Sequence, residues 1–186
     1  EMISSFRDHL VDFDTMVVEG NCQTSQAMAL YYGVFEGEEF KKAYSVLLKM
    51  ISDNDGMHDC GILGCRVIFD LLADNGDVDL ALDMIISEKY PAFGNWIKRG
   101  ATSLWEHFPR ETDPFFSINH HFFGMITAFF YRQLAGIRID ESGVKIEPKY
   151  PKALDWVKAT HKTNDETIVV EWKRVNGKIE LDVKHL

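Results

Sequence analysis

A chain of 186 residues with 46% hydrophobic content is long enough to bury one good core, or one domain plus part of another. Residues 137–186 carry ten Lys+Arg against nine Asp+Glu, which leaves ten against twenty for residues 1–136 and a formal charge of -9 overall. An acidic first part without a basic stripe excludes nucleic acid and anionic membrane surfaces as natural partners, so neutral ligands fit better. Every apolar run is broken by charge or glycine before the roughly 18 residues of a membrane span, so none is predicted.

From Met2 to about Gly136 apolar positions recur at three and four: Phe6, Leu10, Phe13; then Ala27, Leu30, Tyr31, Val34; then Ala43, Val46, Leu47, Met50, Ile51. The spacing predicts helices. A further helix over Ile62 to Ala73 stops at Asp74-Asn75-Gly76, and Asp77 is placed to cap the next, which carries Leu80, Ala81, Met84 and Ile85. Tyr90-Pro91 to Gly94 is a break, followed by a short helical stretch over Asn95 to Arg99 and a loop fenced by Pro109 and Pro114. Asn119 to Ala135 is predicted as one buried helix, apolar on most faces, with Gly136 as its C-terminal cap.

After Ile137 the period becomes two, in Val144, Ile146; Trp156, Val157, Ala159; Ile168, Val169, Val170, Trp172; and Ile179, Leu181, Val183, with Asn176-Gly177 as a hairpin turn. Both Trp156 and Trp172 are expected in the sheet core. A mainly α unit over 1–136 followed by a small antiparallel β unit over 137–186 is the expected organisation.

Cys22, Cys60 and Cys65 form no C-x-x-C and are odd in number, so they are expected to be packing residues. Asp53 to Gly64 resembles a calcium loop only superficially: Met57 stands at the fifth position and the twelfth has no Glu. A helix-to-helix loop with tight glycine turns is the better account, with His58 and Asp59 near a cleft or simply packed. Neighbouring His120 and His121 point two ways, which argues against a shared metal ion. No metal or cofactor is expected.

The residues that point to chemistry are Gly100 to Glu106, Gly-Ala-Thr-Ser-Leu-Trp-Glu, followed by Ser117-Ile118-Asn119-His120. Aromatic faces stack on sugar rings, and a carboxylate beside them can activate water. Glu106 also fits a solvated carboxylate paired with Arg99 or Arg110. The aromatic set Phe93, Trp96, Trp105, Phe108, Phe115 and Phe116 gathers around the same stretch and serves either core packing or sugar stacking.

Six pieces in order make the chain similar to a known family: Gln23-Thr-Ser-Gln-Ala27, Gly61-Ile-Leu-Gly64, Tyr90-Pro91, Gly100 to Glu106, Ser117 to His120, and Tyr131-Arg-Gln-Leu-Ala-Gly-Ile137. The chain resembles the bacterial alpha-L-rhamnosidases along nearly its whole length. That resemblance implies an (α/α)6 catalytic barrel followed by a β-sandwich, and hydrolysis of terminal alpha-L-rhamnosides with inversion. It places the general base on Glu106 and an active-site histidine on His120, with Trp96 and Trp105 as cleft wall. Rhamnose-containing glycosides or polysaccharides become the expected partners.

The chain departs from the family pattern in three ways. Cys60 and Cys65 stand where the family usually has Thr, and His121 replaces a Tyr. The segment that bears the family's general acid and its rhamnose-gripping carboxylates has no match here. With about six or seven helices of the twelve a toroid needs, the chain is expected to be the closing half of the barrel, inactive by itself and prone to self-association through its bare inner helix. Glu1 is no initiator Met and no charged-then-apolar leader opens the chain, so a piece of a longer protein is expected and its compartment is not legible. A noncatalytic carbohydrate-binding module, another (α/α)6 glycosidase and a polysaccharide lyase are the alternatives; the lyase would need basic residues near Glu106, for which Arg99 and Arg110 qualify.

Overall fold

The computed structural model describes residues 1–114 and 116–186. Helix α1 (Met2–Leu10) leads into a short antiparallel pair, β1 (Val11–Asp12) and β2 (Val17–Val18), so Phe13 lies in a turn and not on the predicted helix. Helices α2 (Gln23–Tyr31), α3 (Gly37–Asp53), α4 (Ile62–Asp74) and α5 (Val78–Ile86) follow the apolar spacing, except that α2 ends before Val34, which is buried from the connecting bend. α3 is amphipathic, burying Ala43, Tyr44, Leu47 and Ile51, and Glu38 and Glu39 suit the positive end of its dipole. α4 is covered on nearly every side, with Val67 to Ala73 all buried. Among the described residues no helix is long and apolar enough to cross a membrane.

Asp77 does open α5, yet its side chain caps nothing. Its carboxylate instead accepts the Tyr44 hydroxyl proton at 2.6 Å, joining α3 to α5. Two buried glutamines do similar work around α2. The Gln26 amide donates to the carbonyls of Met16 and Ala43 at 2.9 and 3.0 Å and accepts the Val18 N–H at 3.0 Å. The Val18 N–H and the Met16 carbonyl take their partner from that side chain, while the Ala43 carbonyl, inside α3, gains it as a second donor.

The expected helix from Asn119 to Ala135 is shorter than its apolar content suggests. Helical structure begins at α7 (Ile126–Phe129) and continues as a π-helical turn over Phe130–Leu134, where the Ala135 N–H reaches the Phe130 carbonyl at 2.9 Å. The residues before Ile126 form turns because their backbone is engaged elsewhere: the His120 N–H donates to the Leu104 carbonyl at 2.8 Å. Phe122 and Phe130 are accordingly exposed, at 41% and 40%. Gly136 ends the segment with φ +74, and a Cβ there would sit 2.1 Å from the backbone nitrogen of Pro148, so both its conformation and its neighbour demand glycine.

The C-terminal strands form two antiparallel sheets, β3 (Ile137–Asp140) with β4 (Gly143–Ile146), and β5 (Trp156–Lys162), β6 (Thr167–Val175) and β7 (Lys178–His185) in that order. Asn176 and Gly177 turn at φ +51 and +76 between the paired Val175 and Lys178, as a two-residue hairpin requires. Trp172 is fully buried and its indole N–H donates to the Leu134 carbonyl at 2.8 Å. Trp156, expected beside it, is 66% exposed. Strand parity explains the correction: Val157 pairs with Trp172 on the inner face, which turns Trp156 outward opposite Lys173.

A large core runs from Met16 to Leu134 through the helices, and a small one joins Ala135, Ile137, Ile168 and Val170. A polar seam links them. Buried Asp70 on α4 holds Arg132 and accepts the Gln133 amide at 3.0 Å, while Asp74 pairs with Arg138. Burying that carboxylate is tolerable because its charge and lone pairs are met by these donors.

Candidate active site

Residues 100–114 and 116–125 contain little regular structure, yet their backbone is closely organised. The Glu106 N–H donates to the Ser117 carbonyl at 3.0 Å, the His120 N–H to Leu104, and the Ser103 hydroxyl to the Ile118 carbonyl. The two sequence pieces singled out above are therefore paired limbs of one loop. This pairing returns the chain so that the Ser117 N–H donates to the Glu106 carboxylate, Oε2, at 3.1 Å. The other carboxylate oxygen has no protein donor among the described residues, and neither Arg99 nor Arg110 forms the ion pair that a solvated-carboxylate role predicts.

Glu106 lines a cavity of about 810 Å³. The loop between α3 and α4 also lines it, as do Lys89, Tyr90 and Pro91, which precede α6 (Phe93–Lys98), with Arg110 and Phe122. Gln23, at the start of α2, sets the loop. Its amide donates to the Met50 and Met57 carbonyls at 3.3 and 3.1 Å and its oxygen accepts the Asp59 N–H at 3.3 Å. Behind this, Gly64 lets α4 approach α2: a Cβ there would meet the Thr24 hydroxyl at 2.5 Å and the Cys60 sulfur at 2.6 Å. The glycine-turn account of residues 53–64 thus has a physical basis in helix approach.

His58 is fully buried on this loop. Its Nδ1 accepts the Cys60 N–H at 3.3 Å, so the ring proton belongs on Nε2, which has no partner among the described residues. Burial pushes its pKa down to about 4, and the ring is held edge-on to Phe108 and Phe69. Burial raises the Asp59 carboxyl above its ordinary value. It also pushes the Cys60 thiol up to about 12 and the Cys65 thiol well above normal, as expected of inert packing residues, while Cys22 is part-exposed.

The structure separates the predicted site residues. Trp96 and Trp105, at 2% and 8% exposure, lie behind the cavity and not on its surface. Trp96 stacks on Phe108 with ring centres 4.6 Å apart and lies 5.8 Å from Trp105, which has Phe116 at 5.4 Å. The physical reason is density: Phe93, Phe108 and Phe123 close around Trp96 and leave no face for a ligand. Phe115, grouped with them in the sequence, lies outside the described residues. His120 is part-exposed, with its ring 3.8 Å from that of Phe122, and it sits beside the cavity through the loop pairing without lining it. Among the described residues no three His, Cys, Asp or Glu side chains come together to hold a metal ion.

Sequence reasoning missed Gln23 as the anchor of the cavity loop and missed Lys89 and Tyr90 as wall. The Gln23 to Ala27 and Tyr90-Pro91 pieces were the available signal for Gln23 and Tyr90; no local pattern marks Lys89.

Residues 1–134 match the family described as the bacterial alpha-L-rhamnosidase 6 hairpin glycosidase domain. An alpha-L-rhamnosidase of Formosa agariphila is 29% identical over 87% of this chain and 18% of its own length. One from an Alteromonas species is 26% identical over 98% of this chain and 21% of its own length. The solved alpha-L-rhamnosidase of Dictyoglumus thermophilum superposes with a TM-score of 0.89 at 27% identity, covering 98% of this chain and 21% of that one. The chain thus spans about a fifth of the length of the curated relatives it matches. With a helical core, small antiparallel sheets and a family match over most of its residues, the chain belongs to the bacterial alpha-L-rhamnosidase six-hairpin glycosidase family.

Proposed function

We propose that this chain is part of a longer alpha-L-rhamnosidase that hydrolyses terminal alpha-L-rhamnosides with inversion, and that Glu106 is its general base. Residues 1–136 form the closing half of its (α/α)6 barrel and residues 137–186 begin a β-sandwich domain. The observation that carries this reading is the state of Glu106, which is fixed by one backbone N–H, lacks a cationic partner among the described residues, and lines a cavity wide enough for a sugar.

Inverting hydrolysis needs two carboxyl groups about 6.5–9.5 Å apart. Glu106 takes a proton from water as the water oxygen bonds to the anomeric carbon. The bond to the leaving oxygen breaks on the opposite face, and a carboxylic acid from outside this chain protonates that oxygen. His120 orients a sugar hydroxyl or the attacking water from the paired limb. Trp96 and Trp105 support the wall from behind and do not stack on the sugar themselves.

Proton NMR of an aryl alpha-L-rhamnoside digested by the full-length protein tests the reading. The beta anomer of rhamnose is expected first; the alpha anomer first contradicts inversion, and no hydrolysis contradicts the glycosidase assignment. The 186-residue chain alone is expected to be inactive and, by light scattering, to exceed its monomer mass of 21.4 kDa as concentration rises.

A further inference from the structure

The acidic balance of the chain conceals one local exception beside Glu106. The cavity that Glu106 lines adjoins a second of about 680 Å³, and the residues common to both are Lys89, Tyr90 and Arg110. The second cavity adds Lys98 and Arg99, so four cationic side chains meet two acidic ones there, Glu88 and Glu111. Glu88 is already engaged by Lys98 at 2.8 Å. The Arg99 guanidinium is also occupied, donating to the Pro109 carbonyl at 2.5 Å and lying 5.3 Å over Trp105.

Lys89 and Arg110 differ from these neighbours. Neither has a carboxylate partner among the described residues; the Arg110 guanidinium lies 5.3 Å over the Tyr90 ring, and Asp113 accepts only the Arg110 backbone N–H. The carboxylates of the first cavity, Asp55, Asp59 and Glu106, do not line the second. Two cations without a carboxylate partner among the described residues therefore flank a 42% exposed tyrosine on the rim shared by the Glu106 cavity and a more basic one. Lysine and arginine there offer several donors to a planar anion, with the aromatic ring as a sugar-sized surface.

We propose that Lys89 and Arg110 bind the carboxylate of a uronic-acid residue attached to the rhamnosyl unit, making acidic rhamnosides the preferred substrates. The assignment rests on the rhamnosidase reading above and names its substrate class. A sulfate ester offers similar charge, and the arginine fork takes either anion, so a sulfated substrate is one arm of the test. Because both cations are exposed, the preference is screened by salt.

The test compares kcat/KM of the full-length protein for a rhamnosyl-glucuronide and for the matching rhamnosyl-glucoside. A ratio of about tenfold in favour of the acid is expected at low ionic strength, the scale of charge-assisted hydrogen bonds near a surface. The ratio should fall toward one in high salt and in the Lys89→Ala/Arg110→Ala variant, and persist in Lys89→Arg/Arg110→Lys. A ratio near one in the unmodified protein, or one that the alanine variant leaves intact, overturns the proposal. Stronger preference for a sulfated rhamnosyl-glucoside overturns the uronate assignment. Should no rhamnoside be hydrolysed, the rhamnosidase reading fails, and calorimetry with methyl glucuronide against methyl glucoside decides the anion site alone: selective binding lost in the alanine variant supports it, and no selective binding overturns it.

Discussion

Helix α2 and the loop from Gly100 to Met125 both carry polar groups into the packed part of the molecule, but they complete them differently. On α2, Gln23 and Gln26 are buried at 1% and 0% exposure, and each side-chain amide is bonded to backbone through both its nitrogen and its oxygen. On the loop, Glu106 has one oxygen bonded and the other without a donor among the described residues, and the His120 ring packs on Phe122 without a hydrogen bond among those residues. Saturated polar groups make a frame, because leaving any partner unmet is costly in a low dielectric; unsaturated ones at a cavity are available to a ligand.

The largest expected departure tests the frame. Gln26→Leu strips partners from the Val18 N–H and the Met16 carbonyl and removes a second donor from the Ala43 carbonyl, and should lower stability by about 3 kcal/mol in urea unfolding. A loss below about 1 kcal/mol would show that α2 is not a saturated frame.

His58 sharpens the comparison because it belongs to the frame yet keeps one nitrogen without a partner among the described residues. Its folded pKa, about 4, lies below the ordinary histidine value, so the unfolded chain binds the extra proton between those limits. Its contribution to stability is complete above about pH 6.5 and is lost as pH falls toward 4, a change of about 3 kcal/mol. Unfolding curves across that range should steepen in this direction, and His58→Phe should flatten the dependence. An unchanged slope in the variant would assign the effect to other groups.

The smallest effect is expected from Trp156→Thr, within about 0.5 kcal/mol, because the side chain faces solvent. A loss several times larger would mean that the outer sheet face is covered.

Much of the fold is legible in the sequence where a period governs it. Ala43, Leu47 and Ile51 mark α3 by spacing alone, and Asn176-Gly177 marks its hairpin. Legibility fails where long-range partners decide. Phe122, Phe123 and Met125 look helical, but the Leu104 carbonyl takes the His120 N–H and the helix starts later. Trp156 and Val157 are adjacent, so a period of two admits only one of them to the core, and which one depends on pairing with Trp172. Glu106 is found through motif resemblance, and its lack of a cationic partner only through coordinates. Lys89 and Arg110 stand twenty-one positions apart, and only folding brings both to one cavity rim.

Glu106→Gln in the full-length protein is the most direct measurement. The substitution retains an oxygen for the Ser117 N–H but cannot take the proton from water. On an aryl alpha-L-rhamnoside, kcat should fall by on the order of 10³ with the unfolding midpoint unchanged. Turnover within a few-fold of the unmodified enzyme, in a folded protein, would contradict Glu106 as the water-activating base.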